Sequence, residues 1–303
     1  MASPRQMRLR IRSVGNIAQL TRALQAVSAS RVRRAEQAVR ATRPYAEKAW
    51  QVLQHLAGEP SRNVLHPLLT ERAEVRRSLV VVITSDRGLA GAYNTNVLRF
   101  ALEQFRAEPH PVAYLIVGRK GRDVMFRRRV AIRAEFSDLP PEPTFSDVSP
   151  IGRIAIDDFL SGAADQVHLV YTDYVNLLNQ IPARKKLLPL EVPRAEARAE
   201  GTPAAYIYEP GEAELIGALV PRLTSLQLFQ AVLESMASEH AARMVAMRNA
   251  TENARELGAA LRLTYNKARQ QGITSDILDI VGGVEALAEA RTAAAGAAQG
   301  GNA

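Results

Sequence analysis

The stretch Thr84–Ser85–Asp86–Arg87–Gly88–Leu89–Ala90–Gly91 leaves a run of β-branched residues and enters a helical pattern. An open α/β sheet commonly holds phosphate at such a position, on glycine-rich backbone and helix N–H groups. Neither G-x-G-x-x-G nor G-x-x-x-x-G-K-[ST] is present, and Asp86 puts a carboxylate where a phosphate would lie. The residue types therefore favour an ordered interaction loop or structural turn around Ser85, Asp86 and Arg87 over a nucleotide site. His55, His66, His110, His168 and His240 are scattered, with no i,i+4 pair to converge on a cation, so no metal site is expected. No histidine stands near Ser85 and Asp86 in sequence, and no G-x-S-x-G elbow exists. No catalytic residue and no cofactor is expected.

The remaining chemistry is cationic. The net charge is +8, and Arg5, Arg8, Arg10, Arg12, Arg31, Arg33 and Arg34 crowd the N-terminal region. A nucleic-acid surface would interleave aromatics for base stacking, but aromatic residues are only 5% of the chain, so a solvated or partner-facing helix side is the better reading. The absence of cysteine excludes a disulfide framework, thiolate metal ligation and a thiol switch. No apolar run approaches the roughly 20 residues of a membrane span. The N-terminus begins on a charged periodic pattern without a signal-peptide core and reads as mature protein.

The elements that carry these residues follow from periodicity. Residues 1–57 read as one amphipathic helix, with Ser3–Pro4 as its start and Pro44 as a kink or junction. Between 77 and 210 the period changes. Apolar runs at Ser78–Ile83, Val112–Val117, Val130–Phe136 and Val167–Tyr171 alternate with helical patterns at Thr95–Arg106, Gly118–Arg129 and Ile151–Leu160. A proline-rich loop is expected from Pro140 to Pro150, and Leu187–Glu191 and Ala205–Tyr208 are candidate further strands. That alternation predicts a mainly parallel sheet, with an antiparallel edge near Asn176–Pro182.

A second long helix occupies 211–287, its apolar stripe most regular from Pro221 to Leu287. That stretch alone would be roughly 100 Å long, too long to be covered by one domain. Alanine and serine crowd Ser235–Ala246, which permits close helix approach. The Ala/Gly-rich residues 288–303 read as a disordered tail. The fold class is α/β: a long antiparallel coiled coil of the N- and C-terminal helices with an inserted Rossmann-like α/β domain.

Several motifs resemble one family. Arg10–Ile11–Arg12–Ser13–Val14–Gly15–Asn16, Leu24–Gln25–Ala26–Val27–Ser28–Ala29–Ser30 and Ile83–Asn94 resemble the gamma subunit of F-type ATP synthase. So do Ser238–Met247 and Leu263–Gln270, followed in order by Ile273–Thr274 and Ile280–Gly283. The resemblance implies a central-stalk rotor without catalysis of its own. The terminal helices would enter the ring of alpha and beta subunits, and the α/β domain would meet the epsilon subunit and the c-ring. It also implies a peripheral membrane protein on the cytoplasmic face of the bacterial plasma membrane, with no nucleic-acid partner.

Carried over by motif, Arg269, Gln270 and Thr274 are expected to contact a beta-subunit loop. Leu24 would lie at a similar interface on the opposing helix. Ile277, Ile280, Val281 and Val284 would form an apolar bearing, and Ser85, Asp86 and Arg87 a further partner contact. The family's loop commonly differs at Ala90, Ala92 and Tyr93, and the missing cysteines argue against redox control of the chloroplast type. The alternative is a Rossmann-like nucleotide-binding protein with a coiled-coil appendage.

Overall fold

The computed structural model describes residues 4–57, 66–191 and 212–299. Its helices are α1 (Pro4–Ala57), α2 (Tyr93–Gln104), α3 (Arg119–Arg127), α4 (Phe145–Leu160) and α5 (Glu212–Gln299). Its strands are β1 (Ser78–Ile83), β2 (Val112–Val117), β3 (Ala131–Phe136), β4 (Gln166–Tyr174) and β5 (Gln180–Leu188), and a short 3-10 turn spans Pro67–Leu69. The chain divides into two compact units, Leu24–Met247 and the paired ends Met1–Ala23 with Arg248–Ala303.

The larger unit is built on one sheet of order β3-β2-β1-β4-β5. β3, β2, β1 and β4 run parallel, and β5 lies antiparallel against β4. All six residues of the central strand β1 are buried, as a strand covered on both faces requires. Leu79, Val81 and Ile83 join a core with Val148, Ile151 and Phe159 of α4 and Leu223, Val232 and Leu233 of α5. Val80 and Val82 point the other way, into a core with Val97, Leu98 and Ala101 of α2 and Met125 of α3. The period-2 alternation thus places helices on both faces, which is the doubly wound arrangement. β4 and β5 are joined by five residues, enough only for a hairpin. There the Asn176 carboxamide oxygen accepts the backbone N–H groups of Leu178 and Asn179 at 2.9 and 2.8 Å.

Two boundaries differ from the sequence expectation. α4 begins at Phe145, inside the stretch read as a proline-rich loop, because Thr144 and Asp147 form a reciprocal capping box. Pro150 sits within that helix, and the Ser149 hydroxyl donates at 3.4 Å to the Ser146 carbonyl, whose usual partner would be the N–H that proline lacks. α5 starts at Glu212, one residue from the expected 211, and Ile216 and Val220 carry the buried stripe ahead of Pro221. It also continues past Leu287 to Gln299 through alanine-rich sequence of high helix propensity, where a disordered tail was expected. The candidate strand Ala205–Tyr208 lies outside the described residues. One 18-residue window of α5 reaches a mean hydropathy of 1.3, apolar enough to cross a membrane by length and composition, contrary to the expectation that no run approaches a span. Since 61% of that window is buried within the protein, it has the character of a core helix.

The smaller unit pairs the start of α1 with the later part of α5. The hydroxyls of Thr21 and Thr251 lie 2.7 Å apart, and a Cβ placed on Gly258 would meet Val14 Cγ1 at 3.7 Å. Arg8 donates to the Tyr265 hydroxyl at 2.6 Å. The residue numbers of each pair add to 272 or 273, so the helices run antiparallel in constant register with a step of about seven. Continued along α1, that register sets Pro4 opposite Ala268.

One junction of the sheet is tight enough to test. Gly118 has φ +99, and an added Cβ would stand 2.4 Å from the Thr84 carbonyl oxygen. Backbone strain and a clash with main chain act together there. Gly118→Ala is expected to destabilise the chain by about 3 kcal/mol or more in urea unfolding.

Candidate functional site

Residues 84–86 dock on the N-terminus of α3 and saturate it. An α-helix leaves its first N–H groups without intrahelical acceptors. Here Arg119 N–H donates to the Asp86 carboxylate at 3.0 Å, Lys120 N–H to the Ser85 carbonyl at 3.0 Å and Gly121 N–H to the Thr84 hydroxyl at 3.0 Å. The second Asp86 oxygen accepts Asp138 N–H at 3.0 Å. The amides that would cradle a phosphate at this helix are therefore occupied by the preceding loop itself. Asp86 fills the anion position, as its charge suggested. Ser85 is buried, donating from its hydroxyl to the Arg87 carbonyl at 2.6 Å and from its N–H to the Asn94 carboxamide at 3.0 Å. Arg87 is exposed.

The far side of the loop is held by α5. Arg243 is 8% exposed and donates to the Gly88 carbonyl at 3.2 Å from both Nε and Nη2, and to the Glu239 carboxylate at 2.6 Å. Its remaining Nη1 donates to His240 Nδ1 at 3.2 Å. A guanidinium can only donate, so Nδ1 is the acceptor and the imidazole proton sits on Nε2. Burial lowers the His240 pKa to about 4, reinforced by Arg243 and Arg31. Burial likewise raises the Glu239 carboxyl above its ordinary value, outweighing the opposing pull of Arg243. Tyr93, buried at the start of α2, has its phenol pKa raised by desolvation and then by Glu239. The clamp holds Leu89 at φ +62, a left-handed conformation costly for leucine, with its side chain 65% exposed.

The structure thus brings Ser85, Asp86 and Arg87 together at one rigid loop. Sequence reasoning missed the roles of Glu239, His240 and Arg243. The signal was polar residues at i and i+4 within an otherwise apolar stripe, which only the loop above them explains. Leu24 is half-buried, whereas Arg269, Gln270, Thr274, Ile277, Ile280, Val281 and Val284 are all exposed. Among the described residues no group of three or more His, Cys, Asp or Glu side chains could hold a metal ion. His110 and His168, remote in sequence, approach closely enough to influence each other, and His168 also meets Arg184 at 3.2 Å.

A doubly wound sheet closes its first loop with its own side chains, and the start of α1 pairs with the later part of α5. The family profile described as ATP synthase matches residues 3–287. An ATP synthase gamma chain from Roseiflexus castenholzii is 46% identical over 293 residues, covering 95% of this chain and all of that protein. One from Dehalococcoides mccartyi is 45% identical over 292 residues, again covering 95% of this chain and all of the relative. In fold, the chain is similar to a component of the Euglena gracilis mitochondrial ATP synthase rotor. The TM-score is 0.64 at 22% identity, covering 89% of this chain and 98% of that one. A second Euglena gracilis structure, of the OSCP/F1/c-ring assembly, gives 0.65 at 22% identity, with 94% of each chain covered. The chain belongs to the ATP synthase gamma chain family.

Two outcomes test the site. Arg243→Met leaves Glu239 buried without its counter-charge, and is expected to cost about 3–5 kcal/mol in urea unfolding. His240 binds its proton more weakly folded, at about 4, than unfolded, near 6.5, so its contribution to stability is present above pH 6.5 and lost as pH falls toward 4. His240→Gln is expected to flatten the dependence of unfolding free energy on pH in that window by about 1.4 kcal/mol per pH unit at most.

Proposed function

We propose that the chain is the central-stalk rotor subunit of a proton-translocating F-type ATP synthase, coupling c-ring rotation to the conformational cycle of the catalytic beta subunits. In this reading residues 1–57 and 211–287 supply the helical shaft, and 77–210 the sheet domain that meets the epsilon subunit and the c-ring. The alpha and beta subunits surround the helices. The chain carries no catalytic residues of its own and works as a peripheral protein on the cytoplasmic face of the bacterial plasma membrane.

The observation that carries the reading is the surface of α5 between 271 and 287. Every residue there is exposed, although Ile273, Ile277, Leu278, Ile280, Val281, Val284 and Leu287 are large and apolar, each at least half exposed. An apolar surface of this extent marks an interaction site. Its sequence lies in the part of the chain aligned with full-length gamma chains. The antiparallel register sets Pro4 opposite Ala268, so Arg269, Gln270 and Thr274 stand where α5 passes the described start of its partner helix. A rotor surface must favour successive partner conformations by modest differential contacts, since one very favourable angle would stop it.

Exposed residues contribute little to folding, which makes the reading testable. Arg269→Ala in a reconstituted complex is expected to lower ATP-driven proton pumping several-fold. The isolated subunit should keep its unfolding free energy within about 0.5 kcal/mol. Normal assembly with undiminished pumping would refute a torque-transmitting role for Arg269.

A further inference from the structure

The edge of the sheet where its parallel strands begin collects arginines. Register sets Ser78 of β1 beside Val112 of β2 and Gln166 of β4, and Ala113 beside Ala131 of β3. The residues leading into these strands are therefore neighbours, since adjacent strands lie about 4.8 Å apart. Ser78 N–H donates to the Pro111 carbonyl at 3.1 Å and Asp165 N–H to the Arg77 carbonyl at 2.8 Å, which ties the loops of this edge together. Arg77 enters β1, and Arg106 follows the end of α2. Arg127 ends α3, and Arg128 and Arg129 turn the chain into β3.

All five arginines are exposed, and their side chains make no hydrogen bond or ion pair among the described residues. Most carboxylates of the same edge are committed. Asp165 accepts the backbone N–H groups of Arg76 and Arg77 at 2.9 and 3.0 Å. Glu74 pairs with Arg76 at 2.8 Å, and Glu108 with Arg184 at 3.3 Å. Glu103 and Asp157, exposed in the last turns of α2 and α4, are the exceptions among the described residues. Five free guanidinia against two free carboxylates leave the edge positive.

An aromatic ring accompanies the charge. Phe126, in the last turn of α3 directly before the arginines, is 75% exposed, while Met125 beside it is fully buried. The helix thus gives its core position to methionine and turns the larger ring outward. A ring flanked by free guanidinia suits a headgroup boundary, where the ring enters the interface and the cations meet phosphates. A nucleic-acid strand would call for several stacking rings. Four cavities of about 240–470 Å³ are lined by other residues, so the arginines face no such cleft and can follow a fluid array of phosphates.

We propose that this edge, Phe126 with Arg77, Arg106, Arg127, Arg128 and Arg129, docks on an anionic lipid surface. The contact is peripheral and mainly electrostatic, with the Phe126 ring alone passing below the headgroups. It does not depend on the rotor reading, because the isolated chain should show it.

The test sediments the full chain with vesicles of phosphatidylcholine alone or mixed equally with phosphatidylglycerol. Partition onto the anionic vesicles is expected to be at least about tenfold stronger and to weaken as salt rises. The variant Arg127→Gln/Arg128→Gln/Arg129→Gln should lose about tenfold or more of that partition, and Phe126→Ser several-fold. A control, Arg10→Gln/Arg12→Gln/Arg22→Gln, removes the same charge from exposed positions of α1 and should lose less than about twofold. All these side chains are exposed, so the variants should keep the unfolding midpoint of the parent. Equal losses in the two triple variants would reduce the binding to net charge and overturn the proposal. Equal partition onto both kinds of vesicle, which needs no variant to observe, would overturn it in favour of an apolar contact. Retention on immobilised polyglutamate without vesicle binding would assign the edge to an acidic protein and overturn it as well.

Discussion

The N-terminal amides of α3 need acceptors, and the way they find them sets the upper edge of the sheet. Three consecutive N–H groups, of Arg119, Lys120 and Gly121, are taken in order by Asp86, Ser85 and Thr84. This works only if the backbone after β2 comes very close to the end of β1. Glycine at 118 permits that approach, since any larger residue would drive a Cβ into the Thr84 carbonyl. The same contacts convert a loop with the look of a phosphate turn into a fixed protein surface. Once three residues of the chain's own loop occupy the helix terminus, the binding logic of a dinucleotide fold has no amides left to use there.

α5 completes that surface from the other side. A buried arginine is tolerable only when its donors are consumed, and Arg243 spends them on a carbonyl, a carboxylate and an imidazole. The arrangement holds Leu89 in a conformation it would otherwise leave. Local strain persists here because surrounding contacts over-determine it. Neutral His240 follows from the same geometry, since a second positive charge against Arg243 in a buried site is unfavourable.

The exposed half of α5 follows a different rule. In the sheet unit apolar residues of this helix are buried, as Val220, Leu228 and Ala237 are. Beyond Ala268 the same helix keeps large apolar residues in solvent, the surface that the proposed function assigns to a partner. On that proposal stability and interaction are written on successive stretches of one helix. Changes in the exposed second stretch weigh little on folding.

Much of this was legible in the sequence. Continuous apolar runs such as Ser78–Ile83 specify strands buried on both faces. The helix stripes at either end specify partners for one another, because no other surface is long enough to cover them. The charge of Asp86 alone was enough to argue against a phosphate cradle. Less was legible where packing competes with local signals. Residues 140–150 read as a proline-rich loop, yet Pro150 lies inside a helix set by the Thr144–Asp147 cap. What the sequence determined by itself was therefore the period of each element and which residues could not bind phosphate, since both depend on neighbours along the chain. What only the tertiary structure decided was the joining of Glu239, His240 and Arg243 to a loop some 150 residues earlier, because hydrogen-bond partners across that separation are chosen by packing and not by spacing.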